Sequence, residues 1–136
     1  MDTISIHWDK TNIKKLSEYE ECCFYAFTSG RNLLYIGMTW HQEIRKEVKQ
    51  TIRDFDISTQ GLSIWLGYIH DSTILSIRKS LIQDIECLLI HMNNPPLNKQ
   101  CKSAYTGRDN LKIHSKNFSF IHKTIMCKSS EFYPSD

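Results

Sequence analysis

The chain has 136 residues, 40% of them hydrophobic and 24% charged, with a formal net charge of +2. That length suits one domain, 1–136, able to bury about two-thirds of its unfolded surface without staples, and no apolar run approaches the roughly 18 residues of a membrane-spanning helix. The start, MDTISIHWDK, lacks a basic stretch leading into an apolar one, so a cytoplasmic location is expected rather than secretion.

Residues 11–21, TNIKKLSEYEE, read as a short leading helix. Phe24–Phe27 and Leu33–Ile36 flank the turn residues Thr28-Ser29-Gly30-Arg31-Asn32, which predicts a β-hairpin. In HQEIRKEVKQTIRDF, Ile44, Val48, Ile52 and Phe55 recur at helical spacing, and Arg45, Lys49 and Arg53 form a neighbouring stripe four residues apart. Three cations at that spacing repel one another, so they are either solvated or met by an anion. Leu62–Ile69 is apolar on both faces and reads as a central strand. A long helix is expected from about Ile74 to Met92, stopped by Asn93-Asn94-Pro95-Pro96. Farther on, LKIH and FSFIHKTIM read as two short strands. The order β-β-α-β-α predicts an α+β domain: a small three-stranded, mainly antiparallel sheet flanked by helices, with a basic C-terminal extension over 101–136.

Cys22, Cys23, Cys87, Cys101 and Cys127 include no CxxC pair, and their odd number in a chain without a leader predicts reduced thiols rather than a disulfide framework. The same spacing argues against a structural zinc site.

Charge is unevenly spread. Residues 99–128 carry seven basic side chains against Asp109 alone, whereas residues 1–98 carry 10 basic and 12 acidic ones. Cations interleaved with Tyr105, Phe118 and Phe120 have the composition of a phosphate-contacting surface, and equally that of a solvated basic face.

One carboxylate is out of place. On the long helix Ile74, Ile77, Leu81, Ile85 and Leu88 make an apolar stripe that Leu75, Ile82, Leu89 and Ile90 widen, and Glu86 falls inside this arc. Burying an ionised carboxylate costs several kcal/mol without compensation. Glu86 therefore either pairs with an internal arginine or sits at the arc's edge, or it lines a cleft and holds a divalent metal.

Tyr25, the triplet Tyr35-Ile36-Gly37, Arg45, Glu86 and Pro96-Leu97-Asn98, in that order, resemble the GIY-YIG nuclease superfamily over about residues 22–100. The resemblance implies phosphodiester hydrolysis, with DNA as the expected substrate and Mg²⁺ or Mn²⁺ as cofactor. It makes Glu86 the metal ligand, Arg45 the phosphate clamp and Tyr25 the proton acceptor, with Tyr35 as the alternative. Gly37 would allow close backbone approach, and Asn98 would orient neighbouring groups. Lys49, Arg53, Lys99, Lys102, Arg108, Lys112 and Lys116 would contact nucleic acid. The chain departs from the family's pattern at Cys23-Phe24, in place of Gly-Ile, at Met38, and at Lys49, where a His or Tyr is common; His41 could stand in as a base. These departures leave a second expectation: a weak or inactive module that binds nucleic acid, a protein partner or a second copy of itself. No membrane association is expected.

Overall fold

The computed structural model describes residues 1–17, 21–129 and 131–135. Seven strands form one curled sheet: β1 Asp2–Thr11, β2 Phe24–Ser29, β3 Asn32–Met38, β4 Leu62–Ser72, β5 Leu111–Lys116, β6 Thr124–Lys128 and β7 Glu131–Ser135. Among the described residues two α-helices accompany them, α1 Ile44–Asp54 and α2 Lys79–Asn93. The strand order is β3-β2-β4-β1-β5-β6-β7, with every neighbouring pair antiparallel except β1 and β5.

This corrects the expected small three-stranded α+β sheet. β2, β3 and β4 do pair as antiparallel neighbours, but they are only one end of a mostly β architecture. β1 is the reason. Ile4, Ile6 and Trp8 alternate inward, each fully buried, while His7 and Asp9 face out. β1 lies along β4 on one side and takes β5 in parallel on the other. The basic segment is thereby built into the sheet instead of trailing from it.

Two cores lie on the two faces. Ile4, Ile6, Trp8, Phe24, Ala26, Ile36, Leu111 and Ile113 pack with α2 on one face. Tyr25, Phe27, Ile64 and Leu66 pack with Ile44 and Val48 of α1 on the other. The Trp8 and Phe118 rings meet at 4.9 Å and Phe118 stacks on Trp65 at 4.6 Å, closing the first core below β4.

Local boundaries follow local chemistry. The hairpin turn is Gly30-Arg31, with Gly30 at φ +59, a conformation glycine adopts without a Cβ clash. α2 begins at Lys79, five residues later than the spacing predicts, because β4 runs through Ser72 and Thr73 N–H still bonds to Thr3 C=O. Ser72 Oγ then holds the Ile74 N–H and C=O, and Leu75, expected in the apolar arc, is 99% exposed. Arg78 at the N-cap makes no side-chain cap bond. The missing cap costs about 1 kcal/mol, against about 1.5–3 kcal/mol for each buried Leu or Ile, and Leu81, Ile82, Ile85, Leu88, Leu89 and Ile90 are all buried. Packing, not capping, holds α2. It ends where the sequence indicates, at Asn94 in the left-handed region before Pro95-Pro96.

The leading helix reduces to a 3₁₀ turn at Ile13–Lys15, and Glu18–Glu20 lie outside the described residues. Of FSFIHKTIM only Thr124 onward is strand, since Phe118 and Ile121 turn inward to plug the core. The thiol expectation is also corrected: Cys87 and Cys101 form a disulfide, with Cα atoms 5.3 Å apart. Among the described residues no helix is long and apolar enough to cross a membrane.

Candidate active site at the β3 edge

β3 is the last strand on its side, so alternate backbone groups face away from β2 and need other partners. Successive partners along that edge come from α2 and the segment that follows it. Leu97 N–H donates to Leu34 C=O at 3.0 Å. Asn98 Oδ1 accepts from Ile36 N–H at 3.0 Å, and its Nδ2 donates to Ile36 C=O at 2.8 Å. Met38 N–H donates to the Glu86 carboxylate. Positions 34, 36 and 38 are thus all occupied, and Glu86, expected as metal ligand, and Asn98, expected as an orienting group, also cover a strand edge.

Glu86 reaches this edge from the α2 face, while the tyrosines stand on the α1 face. Tyr25 is buried, its ring 5.9 Å from that of Tyr35. Its hydroxyl donates to Glu47 Oε1 at 3.2 Å and lies 2.8 Å from Thr51 Oγ1. Tyr35 is half-buried between the rings of Phe27 (5.7 Å) and Phe55 (5.2 Å), hydrogen-bonded to Tyr25 and within the fields of Glu86, Glu47 and Asp54. Gly37 pairs with Tyr25 across the hairpin, and a Cβ there would fall 2.6 Å from the Tyr25 hydroxyl oxygen. The glycine makes room for a tyrosine ring rather than for an approaching backbone.

Electrostatics follow from this crowding. Burial pushes the Glu86 carboxyl up to about 7; the Met38 N–H opposes the rise and the Glu47 charge adds to it. Burial and then the Tyr35 phenol push the Tyr25 hydroxyl far above its usual range, the Thr51 hydrogen bond resists, and the Glu47 charge adds to the rise. Tyr35 is raised mainly by burial, with its bond to Tyr25 working against it and Glu86 with it. The centre therefore holds protons tightly.

Among the described residues no group of three or more His, Cys, Asp and Glu is placed to hold a metal ion. Glu86, with Glu47 as its charged neighbour, offers one or two carboxylates. Such a foothold fits a hard divalent cation that keeps most of its water, and does not fit a caged zinc.

The remaining assigned residues divide. Arg45 and Glu47 flank the buried Ile44–Val48–Thr51 stripe of α1 on opposite sides, about 200° apart at 100° per residue. Arg45 is half-buried there, on the flank away from the Tyr25–Glu47 pair. Lys49 and Arg53 are exposed, and Arg53 donates to Gln50 at 2.9 Å. His41, exposed and at φ +53, meets the Trp40 ring edge-on at 4.5 Å. It rims a cleft of about 670 Å³ that Cys22, Cys23, Thr39, Trp40 and Tyr68 also line and the paired tyrosines do not. A smaller hollow of about 320 Å³ reaches Glu47 beside Lys46 and Gln50.

Lys99 follows Asn98 and lies 5.7 Å over the Phe55 ring, whose other neighbour is Tyr35. Lys102 donates to Pro95 C=O at 2.8 Å, and Arg108 pairs with Asp2 at 3.5 Å. Lys112 and Lys116 share one face of β5 with His114, opposite buried Leu111, Ile113 and Ser115. In register on β1 stand Thr3, Ser5 and His7, so this part of the sheet is a basic face beyond the reach of α1.

Sequence reasoning missed Glu47 and Thr51. The signal was a carboxylate four residues before a threonine, at the boundary of the α1 apolar stripe. Compared with known proteins, the chain matches no family model, no curated protein and no solved structure.

Proposed function

We propose that the chain is a divalent-metal-dependent nuclease of the GIY-YIG type, hydrolysing phosphodiester bonds of DNA in the cytoplasm. The observation that carries this reading is Tyr35 on the edge strand, hydrogen-bonded to Tyr25 and within the field of Glu86, which reaches the same edge from the other face of the sheet. Glu86 supplies the anchoring carboxylate, held in place by the Met38 N–H. A bound Mg²⁺ or Mn²⁺ would neutralise phosphate and leaving-oxygen charge there. Tyr35, the less buried phenol, is the one positioned to orient an attacking water, and its bond to Tyr25 fixes the ring. Tyr25 keeps its proton and donates a hydrogen bond to Glu47, which makes it a positioning group and not a base. Asn98 keeps β3 from fraying. Lys99, above the Phe55 ring that packs on Tyr35, meets the phosphate, and the β5 face with Lys112 and Lys116 takes the flanking backbone.

A second reading has its own support. Tyr25 is buried with its hydroxyl engaged, and Arg45 lies on the other flank of α1. Both features suit a module that binds nucleic acid, a protein partner or a second copy without cutting.

The deciding experiment incubates the purified chain with supercoiled plasmid in Mg²⁺ and in Mn²⁺, beside Glu86→Gln. Glutamine keeps an oxygen for the Met38 N–H while removing the charge, so folding is preserved. Nicking by the parent and none by the variant is the expected result. Equal cutting by both sinks the mechanism, and binding without cutting by the parent favours the second reading.

A further inference from the structure

We propose that Cys87 and Cys101 form a reversible thiol–disulfide site that sets how firmly the Asn98 segment holds the β3 edge. Its position is specific. Cys87 follows Glu86 on α2, and Cys101 lies three residues beyond Asn98. The bond, spanning 14 positions, therefore brackets the C-terminal turns of α2, the Asn94 turn, the prolines, and Leu97 and Asn98, which bond to Leu34 and Ile36 on the β3 edge. Cys101 itself sits at φ +64, a left-handed conformation that a cysteine seldom adopts without restraint. Both cysteines are half-buried and reachable from solvent, whereas Cys127 is buried and Cys22, Cys23 and Cys127 remain thiols. A single disulfide among other thiols fits redox sensing better than a structural framework, which would pair more of them.

The step is thiol–disulfide exchange. The thiolate of one reduced cysteine attacks a small-molecule or protein disulfide, forming a mixed disulfide and releasing one thiol. The second thiolate attacks that mixed disulfide, closes the Cys87–Cys101 bond and releases the other thiol. Two electrons and two protons pass to the partner, and a dithiol reverses both steps.

Reduction does not free the segment entirely. His91 Nδ1 still bonds to Cys101 C=O at 3.1 Å, and Lys102 to Pro95 C=O at 2.8 Å. What is lost is the covalent limit on how far Asn98 can swing from Ile36. The inference stands apart from the nuclease reading, because its readout is the strand edge and not cleavage.

The test compares the oxidised chain with the chain treated with dithiothreitol. Alkylation and mass spectrometry should show Cys87 and Cys101 labelled only after reduction, and paired again in oxidised dithiothreitol. Amide exchange at Leu97 and Ile36 should quicken at least tenfold on reduction, while Ile4 and Ile6 in β1 stay protected. Failure to re-pair overturns the proposal. So does exchange at these two edge amides that is unchanged within twofold, or a reduced chain that loses β1 protection as well, which would make the bond a structural staple. The double variant Cys87→Ser/Cys101→Ser should match the reduced chain and ignore dithiothreitol. If it does not fold, the wild-type comparison decides alone.

Discussion

Asn98 answers both backbone groups of Ile36, accepting from its N–H at 3.0 Å and donating to its C=O at 2.8 Å. A side-chain amide thus does along the β3 edge what a further strand would do. Both partners are buried, so Asn98→Ala leaves two backbone groups unsatisfied at about 1–3 kcal/mol each. We expect a loss of about 2–5 kcal/mol by urea denaturation. Asn98→Asp restores only the bond from Ile36 N–H and should recover less than half of that loss. A loss below about 0.5 kcal/mol for the alanine variant would show that water replaces the amide.

How much of this was legible in the sequence differs by element. The hairpin, α1, β4 and the end of α2 were readable because turn residues, helical spacing and Pro95-Pro96 act locally. The architecture was not, because it depends on β1. Its alternation of Ile4, Ile6 and Trp8 with Ser5, His7 and Asp9 is plain in retrospect, but its parallel partner lies over a hundred residues away. Pairing at that distance leaves no local mark. The disulfide was hidden for a related reason: composition argued for thiols, and only the return of the chain after Asn94 brings Cys101 beside Cys87. At the candidate site, Glu86 betrayed itself as a charge in an apolar arc. Glu47 did not, since a carboxylate at the border of an amphipathic helix is ordinary until Tyr25 is seen against it.

Gly37 and Tyr25 should be coupled. Gly37→Ala places a methyl group into the Tyr25 ring and should cost about 1–3 kcal/mol. Tyr25→Leu removes the obstructing ring and the bonds to Glu47 and Thr51, at a cost of its own. Together the two should cost at least about 1 kcal/mol less than the sum, as a double-mutant cycle would measure. Strict additivity would mean that the ring moves aside freely.

Glu86 gives stability a pH dependence of unusual sign for a carboxylate. Its folded pKa of about 7 lies above the 4.5 of an unperturbed glutamate, so the folded chain binds the proton more tightly than the unfolded one. Its contribution is fully present below about pH 4.5 and is lost as pH rises through 7, by at most about 3 kcal/mol. Urea midpoints measured from pH 4.5 to 8.5 should fall with this slope in the parent. In Glu86→Gln they should stay flatter over the same window. Parallel curves for the two proteins would place the carboxylate in water, not at the strand edge.

The basic face of β5 yields the last expectation, which concerns nucleic acid. Lys112 and Lys116 sit on either side of His114, and His114 is held below its usual range first by burial and then by those two charges. If phosphates lie here, each lysine releases about one counterion on binding, so Lys112→Ala/Lys116→Ala should lower the slope of log affinity against log salt by about 2. Lys79→Ala, at the start of α2 and away from this face, should leave the slope unchanged. A phosphate beside His114 favours its protonated form, so affinity should rise as pH falls below its depressed pKa, and His114→Gln should erase that rise. Fluorescence anisotropy with a labelled duplex, over salt and over pH, reads both effects. A double-lysine variant with the parent's salt slope would remove β5 from the interface, whatever becomes of the cleavage chemistry at β3.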